Sequence, residues 1–103
     1  MLNYQVKEQS VIASLEGVKR INAKISDLVK KEINEFIEKS GQQVVLDLRG
    51  VSFIDSEGFS ALQAIAEFAR VNNQIFSYMN VSEDVMELIE LVGMKESFVI
   101  FKN

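Results

Sequence analysis

The sequence predicts one α/β domain: a mixed, mostly parallel β-sheet that opens with an N-terminal antiparallel hairpin and carries about three helices, in the order β-β-α-β-α-β-α-β. Three observations predict it. Two short β-type runs near the N-terminus are separated only by the polar tetrapeptide KEQS. Beyond them, stretches with apolar residues at helical spacing alternate with short, nearly unbroken apolar runs. Finally, 103 residues suffice for one hydrophobic core and not for two, so residues 1–103 are read as a single domain. Helices between successive strands then require parallel pairing through right-handed crossovers.

Taken in order, LNYQV and VIASL are the hairpin strands. From Lys24 to Ser40, the residues Ile25, Leu28, Val29, Ile33, Phe36 and Ile37 recur at helical spacing. Lys30, Lys31, Asn34, Glu35 and Glu38 fill the other faces, and Gly41 follows as the residue that stops the helix. QVVLDL is apolar almost throughout, as a strand buried in the middle of a sheet should be. A second amphipathic helix is predicted from about Gly58 to Val71, and QIFSYMNV is the next strand. Ser82 caps a third helix carrying Val85, Leu88, Ile89 and Val92, with Glu83 and Asp84 at its positive end. Gly93 ends that helix and SFVIF makes a last strand.

Composition excludes several classes of function. Apolar residues are 48% and charged residues 25% of the chain, the balance of an ordinary globular protein. A net charge of −4 without a basic patch argues against nucleic acid as a partner. With no cysteine and no histidine, thiolate zinc sites, cysteine nucleophiles and histidine-based triads are all ruled out. The start MLNYQVKEQS lacks the pattern of a signal peptide, and no apolar run approaches the ~20 residues that span a bilayer. The expectation is a cytoplasmic protein without a membrane segment.

The candidate site is Ser56, where the strand-loop run VVLDLRGVSFID meets the second helix. It stands between Asp55 and Glu57 and just before Gly58. On a helix starting there, Ser60, Gln63, Glu67 and Arg70 share its direction and form a polar stripe. Gly58, Ala61, Leu62, Ile65, Phe68 and Ala69 fall on the opposite side. Phe59 lies at the border, either rimming the core or offering an aromatic contact to another protein. Ser56 itself can be an N-cap, a role for which Asp55 competes, or a hydroxyl that is modified. The two roles are compatible, because phosphate at a helix N-terminus meets unpaired N–H groups and the positive end of the dipole. A nucleophilic serine lacks a base. Asp47 and Asp55, eight residues apart, are too sparse a carboxylate set to imply a metal.

At VVLDLRGVSFIDSEGFSAL the sequence resembles the STAS-domain family, specifically the bacterial anti-sigma factor antagonists. In those proteins a hydrophobic strand leads to D-S-[ST]-G-hydrophobic and a helix, and the first serine is the phosphorylation site. Carried over, that serine is Ser56, preceded by Asp55 and followed by Gly58 and Phe59, with Glu57 completing its loop; the polar stripe then makes Ser60, Gln63 and Glu67, beside Phe59, the expected partner-binding surface. LEGVKRINA is similar to the family's turn before its first helix, with Asn22 and Ala23 in the familiar places. YMNVSEDVMELIELVGMKESFVIF is similar to its C-terminal pattern, so the resemblance covers nearly the whole chain.

The resemblance implies a STAS-like fold and a regulator that is not an enzyme and has no cofactor. Its implied partners are an anti-sigma factor with serine kinase activity and a metal-dependent serine phosphatase. Unphosphorylated antagonist binds the anti-sigma factor and frees the sigma factor; phosphorylation releases it. Two departures stand out. Glu57 replaces the usual serine or threonine, adding a fixed acid beside the hydroxyl. The chain also stops after the last strand, where many relatives add a helix, which predicts a less covered sheet surface and a monomer or weak homodimer. The alternatives are a STAS subunit of a transporter-associated or lipid-transport complex, or a small-ligand or nucleotide-binding module. Against the last, Gly50 and Gly58 are isolated rather than part of a phosphate-binding loop.

Overall fold

A computed structural model of the chain describes residues 2–101. The elements run β1 (Leu2–Val6), β2 (Ser10–Leu15), β3 (Arg20–Ile21), α1 (Ala23–Ser40), β4 (Gln43–Asp47), β5 (Phe53–Ile54), α2 (Ser56–Val71), β6 (Phe76–Met79) and α3 (Glu83–Leu91). The main sheet has the order β1-β2-β4-β6, with β1 antiparallel to β2 and the other pairs parallel. The predicted mixed α/β architecture is the one observed.

Local chemistry explains most of these elements. The hairpin closes where the Lys7 N–H donates to the Ser10 carbonyl at 2.8 Å. Asn22 caps α1 by accepting the Ile25 N–H at 3.1 Å. At its other end Gly41 adopts φ 67°, and its N–H returns to the Ile37 carbonyl. Ser82 caps α3 as predicted, accepting the Val85 N–H at 3.2 Å. β4 lies between β2 and β6 and buries Val44, Val45 and Leu46 on both of its faces, as its unbroken apolar run requires.

Ala13, Leu15, Val44, Leu46, Phe76 and Tyr78 form one continuous cluster with Val29, Ile33 and Ile37 of α1 and Leu62, Ile65 and Ala69 of α2. The two helices pack side by side over this core. The other face of the sheet is not bare at its centre, since Val45 and Ser77 are both almost fully buried. The Ser77 hydroxyl finds no hydrogen-bond partner there.

Two features differ from the sequence expectation. β3 and β5, each two residues long, pair in parallel as a separate small sheet. A pair of residues is too short to show any periodicity, so the sequence carries no signal for it. The expected last strand at SFVIF contracts to a single parallel bridge between Tyr78 and Ile100. Phe98 is buried and stacks on Tyr78 with ring centroids 3.7 Å apart, but Val99 and Ile100 stay 45% and 38% exposed. With one side chain anchored and the next two without a surface to cover them, pairing does not extend beyond the hydrogen bonds to Tyr78.

Candidate functional site at the start of α2

The small β3–β5 sheet aims the site. The Lys19 carbonyl accepts the Ser52 N–H at 2.8 Å, and the Ile21 carbonyl accepts the Asp55 N–H at 3.1 Å. These bonds lay residues 52–55 along residues 19–21 and deliver the chain to the first turn of α2. Asp55 is the N-cap: its backbone is extended and its Oδ1 accepts the Gly58 N–H at 2.8 Å. Of the two competing caps, the structure selects Asp55. Ser56 is therefore the first helical residue, exposed and left out of the capping bond. α2 begins at Ser56, two residues before the position predicted from periodicity.

Gly58 has a different reason to be glycine. A Cβ built there would stand 2.6 Å from the Ile21 carbonyl oxygen and 2.8 Å from Ile54 Cγ2. The start of α2 thus sits directly on β3 and β5, and only a residue without a side chain permits that approach. The glycine of the Asp-Ser-x-Gly motif is a packing requirement that fixes where Ser56 is presented.

Along α2, Ser60, Gln63, Glu67 and Arg70 are all exposed, as the predicted polar stripe requires. Glu67 and Arg70 close a two-point ion pair, with Nη2 to Oε1 at 2.6 Å and Nε to Oε2 at 3.0 Å. The Arg70 hydrogen bonds, and then its charge, hold the Glu67 carboxyl below its usual range. Phe59 corrects the expectation for the border. It is only 4% exposed and belongs to the core cluster, so in the folded chain its ring does not offer a contact to a partner. The buried arc of α2 is wider than a single sheet would demand, because α2 packs against α1 and β5 as well as β6.

The exposed aromatic near Ser56 is instead Phe53, 36% exposed on β5. The guanidinium carbon of Arg20, its register partner on β3, lies 4.9 Å from the ring centroid. The sequence reading missed this pair, whose members sit on two-residue strands far apart in the chain and so leave no local signal. On the α1 side, an open groove of about 250 Å³ is lined by Ser26, Asp27 and Lys30 of α1 and by Glu57, Ser60 and Ala61 of α2. A larger concavity of about 410 Å³ lies elsewhere, where Tyr4 of β1 stacks on Phe36 of α1 beside Glu32 and Glu35.

The two carboxylates considered for a metal are occupied otherwise. Asp55 caps α2, and Asp47 Oδ1 accepts both the Arg49 N–H and the Asn80 side-chain amide at 2.9 Å. Among the described residues no cluster of three or more metal-ligating side chains occurs, and no helix is long and apolar enough to cross a membrane.

On this α/β domain an exposed serine opens α2, and the glycine two residues on packs against the backbone of β3. The chain belongs to the STAS domain family, whose family model matches residues 3–103. Its fold is similar to that of a candidate anti-sigma factor antagonist from Thermotoga maritima, at 21% identity and a TM-score of 0.82 over 99% of this chain and 86% of that one. It is also similar to the Bacillus cell fate determinant SpoIIAA in its phosphorylated form, at 13% identity and a TM-score of 0.70 over 100% of this chain and 93% of that one. The murine anion transporter Slc26a9 contains a similar unit, at 21% identity and a TM-score of 0.68, covering 86% of this chain but 14% of the transporter. At these identities the likeness carries the fold.

Proposed function

We propose that this chain is an anti-sigma factor antagonist that docks an anti-sigma factor through the start of α2 and is released when Ser56 is phosphorylated. The observation that carries the reading is the division of labour at the helix start: Asp55 caps, and the adjacent Ser56 hydroxyl is exposed and free to react. Modification there costs no capping bond, and a phosphate at the first helical position is favoured by the dipole and the nearby N–H groups. The fold therefore tolerates either state of Ser56.

What changes is the docking surface. Ser60, Gln63 and Glu67 extend it along α2, and Phe53 with Arg20 extends it along the small sheet. Aromatic residues and arginine are the types enriched where protein interfaces bury their core. Phosphate would add about two negative charges beside Asp55 and Glu57. Buried unpaired in a desolvated interface, that charge costs several kcal/mol, roughly a hundredfold or more in affinity. The kinase is proposed to be the anti-sigma factor itself, and a metal-dependent phosphatase resets the switch. No catalysis is assigned to the chain.

Incubation with the cognate anti-sigma factor and ATP, followed by mass-spectrometric mapping, should place phosphate on Ser56. Ser56→Ala should then bind constitutively and Ser56→Asp should bind markedly less well. An unmodified Ser56, together with equal binding by Ser56→Asp and the unaltered chain, would end the proposal.

A further inference from the structure

Two surfaces outside the Ser56 site complement one another. The first is a shallow apolar groove on α1 of about 390 Å³, lined by Ile25 and Leu28 and rimmed by Lys24, Lys31 and Asp27. The second is the outer face of α3, where Glu87, Glu90 and Leu91 share one side of the helix and Glu83 and Asp84 lie one turn before Glu87. Leu91 is 81% exposed, more than any other large apolar side chain among the described residues. The ion pairs among those residues join Glu67 to Arg70 and Glu90 to Lys95. Lys24, Lys31, Glu83, Asp84 and Glu87 enter neither, so two lysines against the single Asp27 leave the groove net positive, and the acids around Leu91 leave that face net negative.

We propose that the acidic face of α3, with Leu91 as its knob, docks into the lysine-rimmed groove on α1 of a second copy of this chain. Leu91 would enter between the half-buried Ile25 and Leu28, covering its own exposed side chain and what remains open of theirs in one contact. Glu87 lies one helical turn from Leu91, about 6 Å along the axis. Lys24 and Lys31 lie about one turn to either side of Leu28. With the two axes near parallel or antiparallel, Glu87 meets a lysine in either direction, and the direction decides which one. Because knob and groove are different surfaces, the contact is head-to-tail, and an open assembly of any length retains one free knob and one free groove unless a ring closes. The inference is independent of the phosphorylation of Ser56, which lies on neither surface.

Sedimentation velocity of the full chain over a range of concentrations tests it. The mass should rise with concentration at low salt and fall back toward monomer at high salt, as for a contact held partly by exposed charges. Glu87→Lys alone, and the double change Lys24→Glu with Lys31→Glu alone, should each weaken association about tenfold or more. Mixing these two variants should restore association between them. Leu91→Ser should weaken association with little salt dependence of the loss. Unaltered thermal melts would show that each variant folds. A chain that stays monomeric at every concentration overturns the proposal, as does association indifferent to these changes or a mixture that fails to recover.

Discussion

Replacing Gly58 by alanine tests the packing that presents Ser56. Helix propensity alone favours the change by about 1 kcal/mol, since alanine is the better helix former. The structure opposes it. The new methyl would lie 2.6 Å from the Ile21 carbonyl oxygen, where ordinary contact begins near 3.4 Å, so the helix start must retreat by about 0.8 Å. The obstacle is backbone and cannot swing aside like a flexible side chain. That same carbonyl accepts the Asp55 N–H at 3.1 Å, and a retreat of this size takes the bond past hydrogen-bonding distance. Overpacking costs about 1–3 kcal/mol and the lost bond about 1 kcal/mol more. Against the propensity gain, the net destabilisation is about 2 kcal/mol, or roughly 10 °C in the melting temperature of a domain this size. Urea and thermal unfolding of the two proteins, followed by circular dichroism, measure it. A Gly58→Ala variant as stable as the parent, or more so, would refute the close-approach argument and leave the glycine without a structural reason.

Asp55→Ala should cost about 1 kcal/mol by uncapping α2, whereas Ser56→Ala should stay within about 0.5 kcal/mol, a contrast that denaturant titration resolves. Ser77→Ala should be neutral or raise the melting temperature, because it deletes a buried hydroxyl that has no partner. Tyr4 is pushed up to about 12 by burial first and then by Glu32 and Glu35. A folded-state value raised above the unfolded one, near 10, means that this stabilisation is complete below about pH 10 and is lost as pH rises toward 12. Burial also raises Tyr78, so absorbance at alkaline pH should show neither tyrosine ionised at pH 10 in the folded protein, and Tyr4→Phe should flatten the alkaline loss of stability. Glu67→Arg should weaken binding to the proposed partner while leaving the melting temperature almost unchanged, since the residue is exposed; unchanged affinity moves the interface off this stripe.

Binding and stability should part company at Phe53 and Phe59. Phe53→Ala should reduce partner affinity with modest loss of stability, because its ring is partly exposed beside Ser56. Phe59→Ala should cost about 3 kcal/mol or more of folding stability, because its ring is 4% exposed within the core. Comparing melts with affinities for both variants separates a surface contact from a core residue.

What the sequence determined by itself was everything encoded within a few neighbouring residues. The hairpin, the helix faces, the stop at Gly41, the cap at Ser82 and the exposure of Ser60, Gln63 and Glu67 follow from local periodicity and capping chemistry. The motif around Ser56 was legible in the same way, down to the serine at a helix start. The choice between Asp55 and Ser56 as the cap was not, because both side chains suit that role. It was decided by the bond from the Asp55 N–H to Ile21, which sets where extended backbone gives way to helix. Phe59 turned inward, and Phe53 met Arg20, for the same kind of reason: the partners come from distant parts of the chain. Gly58 reads as a motif letter until Ile21 and Ile54 are seen against it. Only the tertiary structure brings these segments together, and steric exclusion between them selects among conformations that local chemistry leaves equally acceptable.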